Sequence, residues 1–378
     1  MKVMLLPDLE CYPSTHNRQG PDGVPTRLAE WRQCAEAIVQ GALDRRADLV
    51  IAPGDFFELP RPWATEVLEV AGLFQRLARP NRPVVGCAGN HDLRGAGQRG
   101  PCELIAAMGQ SSWGITMPTL LDWVDIDVAV LPAAKPSLLA EEVADPAALA
   151  MAVSDRLVTI SRGLRAQCRG TVPAILVGHW TIAGATTSSH QILPSTEPTI
   201  PLAELQAQRW DACLFGHIHR PQVLSERPFI AYAGGLLRRD FGEEDDPRGC
   251  WIWDSETGGH EWISLPARQF VTLEYRDWLA NEPVEDTIVR VVYQATEQEA
   301  RGIDHDHMLR SLEQAGAHLV AGIFPDIIRS ERTREASVTE TTSPHEALRT
   351  YLARRSDLSE EIRVRVAELA AAVIEEVG

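Results

Sequence analysis

Five short polar clusters in this chain each follow directly on an apolar run, and that pairing of strand and chemistry-bearing turn restricts the fold more than any other feature. The clusters are Asp8-Leu9-Glu10, Gly54-Asp55, Gly89-Asn90-His91-Asp92, Gly178-His179 and Gly216-His217-Ile218-His219. The runs before them, at 3–6, 49–52, 84–87, 174–177 and 212–215, and a further run at 128–131, are apolar at nearly every residue. Runs of this kind suit strands covered on both faces. Helical patterns at 27–45 and 62–78 lie between them, so strand and helix alternate as in α/β layers. Groups at the carboxyl ends of such strands can converge on one sheet edge whatever their spacing in sequence.

The texture changes after the last cluster. Strands are expected at 229–233 and 249–254, with a tight Thr257-Gly258-Gly259 turn and a return strand at 262–265. A boundary is expected near Pro266, followed by a small α+β module with a strand at 287–293, a helix at 306–315 and an apolar stretch at 319–328. The polar segment 330–343 reads as a linker. Two short helices follow, the second opening at Asp357-Leu358-Ser359-Glu360 and carrying Ile362, Val366, Leu369 and Val373 on one face. That face either packs on its own domain or docks on a partner. The expected division is therefore 1–266, 267–330, a linker at 331–344, and a helical tail at 345–378.

The formal net charge of −17 argues against a chain that coats nucleic acid non-specifically, because phosphate neutralisation needs clustered Lys and Arg. It leaves room for an enzyme acting on nucleic acid, since bound metal would neutralise part of the acidic total. The seven cysteines stand singly, with no pair at two-residue separation, and are expected to be buried free thiols. The apolar opening stops at Pro7-Asp8, too short for a signal-peptide core or a membrane span, so a cytoplasmic protein without membrane association is expected.

Carboxylate oxygens, an amide oxygen and imidazole nitrogens are the donors a pair of divalent ions selects, and no thiolate of a structural zinc site stands among them. Taken singly, Gly-Asp after a strand is an ordinary turn and His-x-His an ordinary surface pair. In this order, each at a strand end, they read as one site. So arranged, the clusters resemble the calcineurin-like metallophosphoesterase superfamily, whose blocks are D-x-H, G-D, G-N-H-D/E, G-H and G-H-x-H. The resemblance covers roughly residues 1–266, and only the first block is altered, with Glu10 in place of its histidine. Within that superfamily the chain is similar to the SbcD group of DNA repair exonucleases. Gly234-Gly235 followed by Arg239-Asp240-Phe241-Gly242-Glu243 resembles its G-S-x-x-R-x-D-F-G-E stretch, His179 to Ala185 its H-x-T-V-x-G-A stretch, and Leu265-Pro266 with Phe270 the exit into its capping domain.

The resemblance implies an α/β fold, a two-sheet metallophosphoesterase sandwich flanked by helices, with a small α+β capping domain and a C-terminal helical tail. It implies two divalent metal ions, manganese foremost. One would be held by Asp8, Asp55 and His219, with Glu10 in the histidine's place, and the other by Asn90, His179 and His217, with Asp55 bridging. Glu10 itself either binds the first ion, leaves it loosely held, or yields to His16 or Cys11 of the same loop. His91 takes the position of the catalytic residue that protonates or orients the leaving 3′ oxygen. Asp92 either holds the His91 ring or bonds the backbone of its own turn. Arg94, Arg99, Arg238 and Arg239 either contact DNA phosphates or are solvated loop arginines. His305 and His307 fall outside the pattern and read as the polar start of a helix.

The implied activity is that of a DNA exonuclease or endonuclease subunit that hydrolyses phosphodiester bonds by a two-metal mechanism without a covalent intermediate. The implied assembly is a homodimer with an SMC-like ATPase of the SbcC type, docked through the tail. Two alternatives stay open: a phosphodiesterase of small substrates, and a non-catalytic subunit bridging DNA and the ATPase with a degenerate first metal site.

Overall fold

The computed structural model describes residues 1–12, 15–93, 100–108, 111–123, 125–136, 145–189, 191–275, 283–328, 342–355 and 358–377. They belong to two compact units, Met1–Val292 with His305–Phe324, and Tyr293–Asp304 with Pro325–Gly378.

The first unit is built on two six-stranded sheets. One runs in the order His260–Ser264, Gly249–Asp254, Lys2–Leu5, Leu49–Ala52, Val84–Cys87 and Ser112–Ile115. The other runs Gln222–Glu226, Phe229–Tyr232, Ala212–Gly216, Ala174–His179, Ile126–Leu131 and Thr119–Trp123. Because strand side chains alternate between faces, the apolar runs feed two cores at once. Val3, Leu5, Leu49, Ile51, Val85 and Cys87 meet Val128, Val130, Ile175, Val177 and Leu214 between the sheets. Met4, Leu6, Val50 and Ala52 turn outward onto Trp31, Cys34, Ile38 and Phe74 of the helices Thr26–Asp44 and Ala64–Leu77. Ala129, Leu131, Leu176, Cys213 and Phe215 are covered by Val153, Leu157 and Leu164 of the helix Pro146–Gln167. Helix, sheet, sheet and helix thus form the two-sheet sandwich that the resemblance implies, on strands covered on both faces as their apolar runs suggest.

The helix Pro146–Gln167 was not expected from the apolar pattern, although its start is written in Asp145-Pro146. Asp145 accepts the Ala147 and Ala148 amides, and the proline occupies a first-turn position that needs no N–H. The strands Ser112–Ile115, Thr119–Trp123 and Gln222–Glu226 also lie outside the expected set. All three stand at sheet edges and are only half-buried, so they need no apolar run.

Beyond residue 266, Phe270–Glu274 pairs in parallel with Ile288–Ala295, and Phe241, Phe270 and Ile288 share a small core with Leu319 and Ala321. The expected boundary at 266 therefore falls inside the first unit. His305 and His307 open the helix His305–Gln314. In the second unit Thr296 caps the helix Glu297–Ala300, and the helices Pro344–Arg354 and Glu360–Val377 begin at Ser343 and Ser359, whose hydroxyls accept the Glu346 and Ile362 amides. Ile362, Val366 and Leu369 are exposed. Asp357, most of the expected linker and the side chain of Val373 lie outside the described residues. All seven cysteines are free thiols, buried except for half-buried Cys168. Among the described residues no helix is long and apolar enough to cross a membrane.

Candidate metal centre

Parallel pairing of Leu49–Ala52 with Lys2–Leu5 on one side and Val84–Cys87 on the other, and of Ala174–His179 with Ala212–Gly216, places the carboxyl ends of each set on one edge. The polar clusters meet there. His179 Nε2 lies 3.1 Å from Asp55 Oδ2 and 3.1 Å from Asn90 Oδ1, and His217 Nδ1 lies 3.0 Å from the same amide oxygen. Donors each about 2.1 Å from one shared ion stand roughly 3.0–3.5 Å apart, so these four atoms are spaced for a single cation. Glycine makes the approach feasible: a Cβ on Gly89 would fall 2.1 Å from Asp55 Oδ1, and one on Gly216 2.3 Å from Asp8 Oδ1.

The other half is arranged differently. Asp8 Oδ2 accepts the His217 amide at 2.7 Å, whereas its Oδ1 is buried without a hydrogen-bond partner. Glu10 Oε1 lies 3.6 Å from His219 Nε2 and 3.8 Å from His91 Nδ1, and ligand atoms of Glu10, Asp55 and His91 all lie within 4.8 Å of one another. The same Glu10 oxygen accepts from Arg239 Nη1 at 2.9 Å, and Arg239 Nη2 donates to Glu58 Oε1 at 2.6 Å. Glu10, Asp55 and His217 hold positive φ angles of 31°, 47° and 95°. Such backbone costs about 1 kcal/mol or more per residue and persists where neighbours impose it, as the Asp55 carbonyl does on the Glu10 amide.

Each of the three imidazoles has an oxygen beside its other nitrogen. His179 Nδ1 lies 2.9 Å from the Pro53 carbonyl oxygen, His217 Nε2 3.2 Å from Glu197 Oε1, and His219 Nδ1 3.5 Å from Glu243 Oε1. The Pro53 carbonyl is a hydrogen-bond partner of the kind that fixes the ring and tautomer of a metal-binding histidine, whereas Glu197 and Glu243 stand beside their rings as ion-pair neighbours and His217 Nε2 makes no hydrogen bond. Gln191 holds the turn itself, donating to the His217 carbonyl and accepting the His219 amide.

The electrostatics suit cations. Burial pushes the Asp8 carboxyl up to about 7, His179 opposing and Asp55 adding to the rise. Burial acts in the same sense on Asp55, but His179 outweighs it and holds Asp55 below the usual carboxylate range. Burial disfavours charged imidazoles, yet the Asp55 carboxylate raises His179 to about 10 and the Glu10 carboxylate, with Glu243, raises His219 to about 9. Burial holds His217 below its ordinary value. A buried carboxylate oxygen without a partner, acidic groups packed together and imidazoles backed from outside fit a pair of divalent cations.

Asp8, Glu10, Asp55, Asn90, His91, His179, His217 and His219 are therefore all at this edge. Asp92 plays a different part. Its carboxylate accepts the Gly89 and Phe56 amides at 2.9 and 3.4 Å, while His91 Nδ1 has no hydrogen-bond partner and faces Glu10. It holds its turn, not the His91 Nδ1. His16 packs edge-on against Phe241 and Phe270, and neither it nor Cys11 belongs to a donor group among the described residues. Arg238 is buried and donates to the carbonyls of Glu243, Asp246, Ala267 and Arg268, which removes it as a DNA contact. Arg94 and Arg99 lie outside the described residues. Glu197, Gln191 and Glu58 carried no sequence signal, and Glu243 was visible only as part of the Asp-Phe-Gly-Glu stretch.

A family model described as calcineurin-like phosphoesterase matches residues 2–221. The chain is 34% identical over 83 residues to the SbcD subunit of the SbcCD nuclease of Staphylococcus epidermidis, a match spanning 22% of this chain and 22% of that protein. Among solved structures, it is similar to TT1561 of Thermus thermophilus, with 14% identity, a TM-score of 0.37 and coverage of 70% of this chain and 98% of that one. It is also similar to the phosphopantetheinyl hydrolase PptH from Mycobacterium tuberculosis, with 13% identity, a TM-score of 0.36 and coverage of 62% and 88%.

Proposed function

Because the chain belongs to the calcineurin-like phosphoesterase family, and with it to the metal-dependent phosphoesterases, we propose that it hydrolyses phosphodiester bonds of DNA as the nuclease partner of an SMC-like ATPase. The observation that carries the chemistry is the convergence of Asp55 Oδ2, Asn90 Oδ1, His179 Nε2 and His217 Nδ1, with the His179 ring held from behind by the Pro53 carbonyl. Asp8, Glu10, Asp55 and His219 would hold the first ion, and Asp55, Asn90, His179 and His217 the second. What such a pair of ions would supply, when bound, is polarisation of a phosphoryl oxygen and a water acidic enough to act as a nucleophile near neutral pH. The protein's own part is to fix those donors before substrate arrives and to supply a proton. His91, 31% exposed at its side chain, is placed to give a ring proton to the leaving oxygen as the phosphodiester breaks.

DNA as substrate is supported by the Gly234-Gly235 to Glu243 stretch and by the partial similarity to the SbcD subunit of an SbcCD nuclease. In this reading the cations are manganese, the active form is a homodimer, residues 267–330 form the capping region, and the exposed face of Glu360–Val377 is the docking element for the ATPase. The test is manganese-dependent cleavage of end-labelled DNA. Wild type should degrade it, and His217→Ala should reduce the rate at least about a hundredfold. Turnover of cyclic nucleotides without DNA cleavage would contradict the assignment of substrate.

A further inference from the structure

We propose that Arg239 is a positioning residue of the first metal position, and that Glu10 and Arg239 act as a pair in the place of one histidine. The inference rests on the metal-centre reading above and deepens it.

Replacing an imidazole by a carboxylate adds a negative charge to a position already lined by Asp8 and Asp55. Such a shell holds a cation but repels the phosphate it must bind. Arg239 cancels that charge where it arises, at 2.9 Å from Glu10 Oε1. Glutamate plus guanidinium sums to the neutral charge of a histidine, with Glu58 as a further carboxylate on the other side of the fork. The planar fork also orients Glu10: one terminal nitrogen holds Glu10, the other holds Glu58 on the opposite side, and the Glu10 oxygen is left 3.6 Å from His219 Nε2.

Arg239 neutralises Glu10 without taking the cation's place. Asp8 Oδ1 and His91 Nδ1 remain buried and without hydrogen-bond partners, so the guanidinium satisfies neither. The chain is routed to make this pairing. Asp8 and Leu236 are tied by backbone hydrogen bonds at Asp8 N to Gly234 O and Leu236 N to Asp8 O, which sets residues 234–239 beside the first cluster. The Arg239 amide donates to Glu243 Oε2, and Glu243 also backs His219. Counted from Gly234, the arginine of the G-S-x-x-R pattern is Arg238, which is committed to backbone carbonyls. Arg239 occupies the variable position of that pattern, as Glu10 is the departure from the D-x-H block.

Glu10→His alone therefore restores the pattern on paper and damages the site, because it removes the metal-side partner of Arg239 and leaves the guanidinium to the carboxylates of Glu58 and Glu243. The test is manganese binding by calorimetry and by the exchange-coupled manganese resonance signal, on wild type, Glu10→His, Arg239→Gln and the double variant. Glu10→His should weaken the first position about tenfold or more when Arg239 is present. In the Arg239→Gln background the same change should alter it by less than about twofold. The second position, which uses other donors, should keep its affinity throughout and so reports that each variant is folded. Should Glu10→His not fold, Glu10→Gln makes the same comparison. Equal losses in both backgrounds, or tighter first-position binding by Glu10→His alone, would overturn the pairing. No bound manganese in wild type would overturn the metal centre itself.

Discussion

The two halves of the metal centre are built on different principles. In the second half the donors stand 3.0–3.1 Å apart, with His179 held from outside by the Pro53 carbonyl and Glu197 beside His217. In the first half the contacts from Glu10 to His219 and His91 widen to 3.6 and 3.8 Å, and the odd ligand is shared with a guanidinium. The second half is prebuilt by neutral donors and one carboxylate. The first depends on a cancellation of charges reached through three segments of chain. A site can therefore keep its net charge while changing its residue types, provided the compensating charge is fixed as firmly as the ligand.

The largest effect should come from the residue proposed to serve both halves. Asp55→Asn is expected to lower phosphodiesterase turnover on the order of 10³-fold and to weaken both metal positions, measured by initial rates and manganese titration. Loss confined to one position would break the symmetry assumed for Asp55. Next, saturating manganese should stabilise wild type by about 2.7 kcal/mol for each ion present at a hundred times its dissociation constant. Thermal melts of His217→Ala should show only the part due to the first position.

The outer partners sharpen the contrast. Glu197→Gln should weaken the second position about tenfold with the first unchanged, and Glu243→Gln the reverse, since each backs one histidine. If either moved both positions equally, the halves would not be separable. The smallest effect belongs to Glu58→Gln at the far, partly exposed end of the chain of charges, where a threefold loss at the first position is about the most an ion pair of that kind supports.

Much of this was legible in the amino-acid order. Inner strands announce themselves because both faces are covered, and five of them run into turns bearing candidate donors. Edge strands such as Thr119–Trp123 and Gln222–Glu226 do not, because half-burial needs no continuous apolar run. The candidate donors that meet at the sheet edge were readable block by block, as was the oddity of Glu10. Its explanation was not, since Glu10 and Arg239 are 229 residues apart, and Glu58 and Arg239 181 apart. Asp92 shows the reverse case. Its place beside His91 suggested catalysis, yet its oxygens are taken by the Gly89 and Phe56 amides.

The most direct test of a two-part centre is anomalous diffraction from crystals grown with manganese. Two peaks roughly 3.5–4 Å apart are expected, one among Asp55, Asn90, His179 and His217, the other among Asp8, Glu10, Asp55 and His219, with Arg239 still on Glu10. A single peak in the second half, or a first ion bound with Glu10 turned away from it, would contradict the shared role of Glu10 and Arg239.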